Sequence, residues 1–102
     1  MTLLSVLAEV HQERSRQDAK WGEQNHPDGT GITPSISRYE ADVARSECDT
    51  AFAEGRGTYK HILLEEVYEA LAESDKAKLR TELIQVAAVA TAWVEKLDRE
   101  AA

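Results

Sequence analysis

From Ile84 to Val94 the chain reads Ile-Gln-Val-Ala-Ala-Val-Ala-Thr-Ala-Trp-Val, with Gln85 and Thr91 its only polar side chains. A helix that is apolar nearly all round has to be covered on most sides by other protein. The longest near-apolar run, Val86 to Val94, has nine residues, far short of the ~20 that an apolar helix needs to span a bilayer. The rest of the chain must therefore supply amphipathic partners, and no membrane association is expected.

Such partners are legible. From about Thr2 to Ala19, Leu3, Leu7, Val10 and Arg14 share a helical face, with Leu4 and His11 beside it. Trp21-Gly22 breaks this helix, and Asn25 to Gly31 is dense in turn formers. Thr33-Pro34 can open a second helix, with Ser37 and Glu40 as a competing capping box. That helix runs to about Glu54 and ends at Gly55-Arg56-Gly57. Thr58 can cap a third helix reaching Glu73, Ser74-Asp75 turns the chain, and a fourth helix runs from about Lys76 to Asp98. No segment sustains period-2 alternation. The expected fold class is all-α, a helical bundle in one domain, with the loop over 20–34 as a candidate lid.

The third helix carries a run of acids. At ~100° per residue, Leu63, Leu64, Val67, Tyr68 and Leu71 share a broad apolar face, while Glu66, Glu69 and Glu73 fall together opposite. Taken alone, that pattern is an ordinary solvated face. The fourth helix changes the reading, because Glu82 and Gln85 lie on the stripe of Val89 and are expected to face protein. A carboxylate in such a place needs a partner or a metal. Folding the two helices back about Asp75-Lys76 puts Glu69 level with Glu82 and Glu66 level with Gln85. Three carboxylates and one amide oxygen would then converge, a donor set of the hard oxygens that Mg²⁺ prefers.

Glu66-x-x-Glu69, twelve residues, then Glu82-x-x-Gln85 resembles the Glu-x-x-Glu…Glu-x-x-Asp metal motif of the MazG-like, all-α nucleoside triphosphate pyrophosphohydrolases. Glu65 matches the extra glutamate that often precedes that motif. The stretches from Gln17 to Gly29, which include Trp21-Gly22-Glu23-Gln24-Asn25-His26-Pro27, and from Leu79 to Trp93 are also similar to a small MazG-like subgroup of bacteria and phages. The resemblance covers most of the chain. It implies Mg²⁺, or Mn²⁺ in its place, on Glu66, Glu69, Glu82 and Gln85, with Glu65 orienting or deprotonating a water. The implied reaction cleaves a nucleoside triphosphate at the α-phosphate to the monophosphate and pyrophosphate. Related proteins assemble as dimers or tetramers, so a homodimer or homotetramer is expected. Gln85 stands where the family has Asp, and a neutral amide oxygen ligates a metal more weakly than a carboxylate. The alternative function is therefore a catalytically weak protein that binds a nucleotide or nucleotide signal in the same pocket. A helical interaction module with glutamates as mere surface charge is a third reading.

Trp21, Asn25 and His26 could hold a base by stacking and edge hydrogen bonds; a Trp that anchors its loop to the core is the alternative. Lys60 and His61, at a helix start, could meet a phosphate, although such residues are commonly just solvated. His61 and Glu65 are four apart, but no second His follows at zinc-ligand spacing. Cys48 is the only cysteine, which excludes a disulfide framework and is expected to be a buried thiol.

At 102 residues the chain should bury only ~65% of its unfolded surface, so self-association is plausible on size alone. A net charge of −7 opposes binding to duplex DNA or RNA, yet a divalent cation could still bridge the acids to a nucleotide's phosphates. The start has Glu9 and Glu13 close behind its apolar residues and no basic opening, so a secretory leader is not expected and the cytoplasm is the expected compartment.

Overall fold

The structure, a computed structural model, describes residues 2–102. It is all-α, built of α1 (Leu3–Trp21), α2 (Pro34–Ala53), α3 (Tyr59–Ala72) and α4 (Lys76–Ala101), with no strand among the described residues. None of these helices is long and apolar enough to cross a membrane. The chain divides into two compact units. One is Gly29–Ala90, which holds α2, α3 and the first part of α4; the other holds the residues up to Asp28 together with Thr91–Ala102.

Cap chemistry sets the helix starts. The Thr2 hydroxyl accepts from the Ser5 N–H at 3.2 Å, and the Ser5 hydroxyl accepts from the Thr2 N–H at 2.9 Å. Thr58 and His61 repeat this reciprocal arrangement at α3, and the Asp75 carboxylate accepts from the Lys78 N–H at 2.9 Å at α4. At α2, Pro34 decides between the two candidate starts. Thr33 is the cap residue, though its side chain makes no capping bond, and the Ser37 N–H already donates to the Thr33 carbonyl at 2.9 Å. Helix α1 runs two residues beyond Ala19 and stops at the expected Trp21-Gly22 break, where Gly22 at φ 68° ends it with its N–H on the Asp18 carbonyl, 2.8 Å away. Helix α4 likewise runs beyond Asp98.

In the Gly29–Ala90 unit, α2 packs on α3 through short side chains. Ala41, Ala44, Cys48 and Ala51 are all buried and recur at intervals of three and four on one face of α2. Ala70 on α3 and Leu79 on α4 are buried as well. Short side chains at a contact let helix axes approach closely, so this seam holds α2 and α3 near enough for their longer flanking side chains to meet.

Burial elsewhere departs from the sequence pattern. In α1 the buried residue is Val6, while Leu3, Leu7 and Val10 remain 43–50% exposed. Val6 lies three residues after Leu3 and four before Val10, so burial centres on the edge of the expected face. On α3, Leu64 and Leu71 are exposed while Glu65, Glu66 and Glu69 are half-buried. The near-apolar α4 is not covered on most sides: Leu83 and Ile84 are 52% and 58% exposed, and Val94 and Leu97 are exposed too. One chain of this size has too little apolar surface to cover it.

Gly31 joins the loop before α2 to the end of α3. Its φ of 64° lies in the left-handed region, its N–H donates to the Leu71 carbonyl at 2.9 Å, and a Cβ there would come within 3.1 Å of the Ser74 Cβ. A side chain at this φ costs ~1–2 kcal/mol. Gly31→Ala is expected to lower the melting temperature by roughly 4–16 °C, at about 4–8 °C per kcal/mol for a domain of this size; a calorimetric scan checks this.

Candidate functional site

The acids of α3 and α4 do not form one cluster. They divide into two groups, each with its own partners. In the first, the Gln85 side-chain nitrogen donates to Glu82 Oε2 and to Glu66 Oε2, at 3.0 Å each, in the amide orientation that satisfies the hydrogen bonding. Glu66 and Gln85 were expected at one height, and they meet. Turning the amide over would place its oxygen against the same two carboxylate oxygens, an arrangement of three acceptors that only a cation or a proton could hold together. Glu66 and Glu82 are half-buried. Gln85 is exposed rather than turned toward protein, because α4 is left uncovered on that side.

The second group is centred on Glu69. Its carboxylate takes Arg38 at 2.9 Å and also pairs with Arg45, both guanidiniums meeting the same oxygen. The Glu69 side chain is 15% exposed and is engaged by α2, neither solvated nor turned to Glu82. Arg38 also reaches Asp42 at 3.2 Å, and Arg45 lies 3.9 Å from Glu65. Each arginine side chain is about half exposed, at 48% for Arg38 and 52% for Arg45. These two cations were missed in the sequence, where Lys60 and His61 were the expected phosphate contacts. The available signal was their spacing. Arg38 precedes Ala41 by three residues and Arg45 follows it by four, so both flank the buried stripe of α2.

The expected convergence of Glu66, Glu69 and Glu82 is therefore not adopted, and among the described residues no three His, Cys, Asp or Glu side chains form a group that could hold a metal. The arginines draw Glu69 toward α2, and the amide of Gln85 occupies the space between Glu66 and Glu82. What remains fits a hard cation in part, with two carboxylates and one reversible amide within hydrogen-bond reach of one another. The Glu66 carboxyl supports that fit. Burial first, then the charges of Glu82, Glu65 and Glu69, push its pKa above the usual carboxylate range, so negative charge there is under-compensated.

Glu65, the expected water-activating residue, is 24% exposed in its side chain and sits between Arg45 and the buried Cys48. Burial, followed by the hydrogen bond to Glu65, pushes the Cys48 thiol up to about 11. It is a structural thiol, too weakly acidic to act as a nucleophile at neutral pH. His61 lines the α2–α3 side of the unit and is tied to the helix cap, its Nδ1 accepting from the Thr58 N–H at 3.1 Å. Lys60 is exposed.

Trp21, Asn25 and His26 belong to the other compact unit. Trp21 is 63% exposed, with the Lys20 ammonium 4.8 Å from its ring centre, so it does not anchor its loop to the core. Asn25 donates to Glu23 at 2.9 Å, and His26 Nε2 pairs with Gln24 at 3.1 Å. The polar edges expected to read a base are engaged with neighbours in their own loop. The chain matches no family model, no curated protein and no solved structure.

The two groups give opposite expectations for one substitution. Between the ordinary glutamate pKa, about 4.3, and the raised native value, the folded chain binds more proton at Glu66 than the unfolded chain, so stability present below that window is lost as pH rises through the raised value. Glu66→Gln removes that loss and is expected to raise the melting temperature at pH 7 without divalent cations, the gain closing below about pH 4. Glu69→Gln leaves Arg38 and Arg45 facing a neutral group and is expected to cost ~1–2 kcal/mol, discounted for their half-exposed guanidiniums. Thermal melts of both variants in chelator, from acid to neutral pH, check the two signs.

Proposed function

We propose that this chain is a Mg²⁺-dependent nucleotide pyrophosphohydrolase, which cleaves a nucleoside triphosphate to the monophosphate and pyrophosphate. The observation that carries this reading is the meeting of Glu66 and Glu82 on the Gln85 amide, 3.0 Å from each, with Arg38 and Arg45 of α2 on the nearby Glu69 of α3. It is joined to the resemblance of Glu65-Glu66-x-x-Glu69…Glu82-x-x-Gln85 to the MazG-like motif. Glu66, Glu82 and Gln85 would hold the cation, with Glu69 beside them, and when bound it would neutralise triphosphate charge and acidify a water.

The chain's own residues divide the remaining work. Arg38 and Arg45 present half-exposed guanidiniums whose forked donors match phosphate oxygens; a triphosphate would compete with Glu69 for them. Release of Glu69 would free a third carboxylate for the cation. Glu65, 3.9 Å from Arg45, would take a proton from the attacking water. The protein would act in the cytoplasm as a homodimer or homotetramer, in which a second copy covers Leu83, Ile84 and their neighbours on α4. Light scattering at micromolar concentration is expected to give at least twice the chain mass of 11.3 kDa; a monomer overturns this assembly.

One observation favours the alternative of a nucleotide binder with little turnover. Gln85 donates to both carboxylates, so the cation-free state is already satisfied and metal has to displace an existing network. Pyrophosphate release across a panel of nucleoside triphosphates with Mg²⁺ tests the enzyme, and calorimetry with the same panel tests the binder. Neither release nor binding would leave an interaction module. Gln85→Asp adds a carboxylate to the set, and hard cations gain affinity with ligand charge. It is expected to tighten Mg²⁺ binding and raise turnover while lowering the melting temperature in chelator. A loss of stability that saturating Mg²⁺ fails to restore would make Gln85 structural.

A further inference from the structure

Between α2 and α3, within the Gly29–Ala90 unit, lies an open cleft of about 310 Å³ that the acidic site does not use. That volume is at the small end of the range for small-molecule sites, roughly 300–1,000 Å³. Val43, Ala44 and Leu64 give it apolar walls, Tyr39 and Tyr68 give it two rings, and Glu40, Glu47 and His61 complete the lining. Tyr39 is 68% exposed, so its ring is open to a flat partner. The lining carries two carboxylates and no lysine or arginine, which rules out the phosphate end of a nucleotide and asks for a neutral or cationic group.

The hydrogen-bonding sense of the cleft is also fixed. Glu40 and Glu47 only accept when ionised. His61 Nδ1 accepts from the Thr58 N–H, so in the neutral ring the proton sits on Nε2, which donates. A matching ligand is flat and aromatic, brings N–H donors for the carboxylates, and carries an acceptor for the imidazole. Guanine, adenine and cytosine have this combination through an exocyclic amino group beside ring nitrogens or a carbonyl. Uracil and thymine lack the amino group.

We infer that the α2–α3 cleft is a nucleobase site selective for bases that bear an exocyclic amino group. This rests on the reading of the chain as a nucleotide-binding protein and names the class of nucleotide. Tyr39 directly follows Arg38, and Leu64 and Tyr68 directly precede Glu65 and Glu69, so the cleft and the arginine–glutamate pairs lie on different strips of the same two helices, on opposite flanks of the alanine seam. Stacking on a tyrosine ring holds any base; the carboxylates supply the discrimination, because a site built for a hydrogen bond rejects the ligand that lacks it.

The test uses nucleosides, which carry no phosphate, in chelator, so neither the metal site nor turnover enters. Guanosine, adenosine, cytidine and uridine are titrated into the full chain at millimolar concentration and followed by the NMR signals of Tyr39, Val43, Leu64 and Tyr68. The expected result is that the three amino-bearing nucleosides shift these signals and uridine binds about tenfold more weakly, the loss of one charged hydrogen bond. Both carboxylates are exposed, so the double variant Glu40→Gln, Glu47→Gln keeps its fold and is expected to remove that preference, while Tyr68→Ala weakens all four nucleosides alike. Equal binding of all four, no binding, or shifts confined to residues outside the cleft overturns the proposal. So does a response to putrescine alone, which would make the cleft an organic-cation site. Failure here is separable from failure of the enzyme reading. Pyrophosphate release without base preference removes the cleft, and nucleoside binding without release removes the enzyme.

Discussion

The closeness of α2 to α3 is the constraint on which the rest of the Gly29–Ala90 unit depends. Ala41, Ala44, Cys48 and Ala51 form a buried seam with no long side chain in it. Such a seam stabilises little by apolar area, since an alanine hides only about one methyl group. Its consequence is geometric. With the axes close, Arg38 and Arg45 on one flank reach Glu69, and Tyr39, Glu40 and Glu47 on the other line a cleft with residues of α3. A leucine in place of Ala41 would push the helices apart and separate both sets at once.

The electrostatics follow from that approach. Glutamates 65, 66 and 69 lie on α3 and Glu82 on α4, and the two arginines of α2 reach only part of that charge. Glu69 receives both guanidiniums, Glu65 is a more distant neighbour of one, and Glu66 receives neither. Without an arginine, the Glu66 carboxyl has its pKa pushed upward by burial first and then by the neighbouring charges of Glu82, Glu65 and Glu69. The asymmetry also separates two roles that look identical in the sequence. Glu69 ties helices together, whereas Glu66 and Glu82 hold charge that the chain leaves poorly compensated.

Most of the fold was legible because its signals are local. Thr58, Pro34, Gly22 and Gly55 act through their own backbone, so capping rules place the helix ends without tertiary knowledge. The pairing of Glu66 with Gln85 was legible too, since it needs only the turn position and the helical rise. What was not legible depended on a third element. Two-helix reasoning brought Glu69 toward Glu82 and had no means of knowing that α2 would claim it. Reading Ala41, Ala44, Cys48 and Ala51 as a seam would have supplied that element, but small residues score weakly as a hydrophobic face, and larger ones such as Leu64 and Leu71 drew the assignment instead. The exposure of Gln85 and of Ile84 was hidden for a different reason. Periodicity shows which residues need cover, not whether one chain has enough surface to provide it.

Gln85 shows how one atom type sets the resting state of such a site. With a carboxylate at this position, three ionised groups would face one another between α3 and α4. The cation-free fold would then carry that repulsion or bind a proton to relieve it. The amide lessens both without abolishing them, because its nitrogen donates to Glu66 and Glu82 together while Glu66 stays raised in pKa. The fold is therefore complete without metal. The same satisfaction raises the threshold for binding, since a cation must turn the amide over and break two charge-assisted hydrogen bonds before it gains a weaker ligand than Asp would give. On the proposed reading, a chain with Gln85 would trade metal affinity for cation-free stability, and the compensating charge would have to come from elsewhere. Glu69 is the nearest candidate on α3, and it becomes available only when Arg38 and Arg45 find another anion. Metal and polyphosphate would on this account bind cooperatively, each supplying what the other needs: the phosphates release Glu69, and the released carboxylate strengthens the cation site.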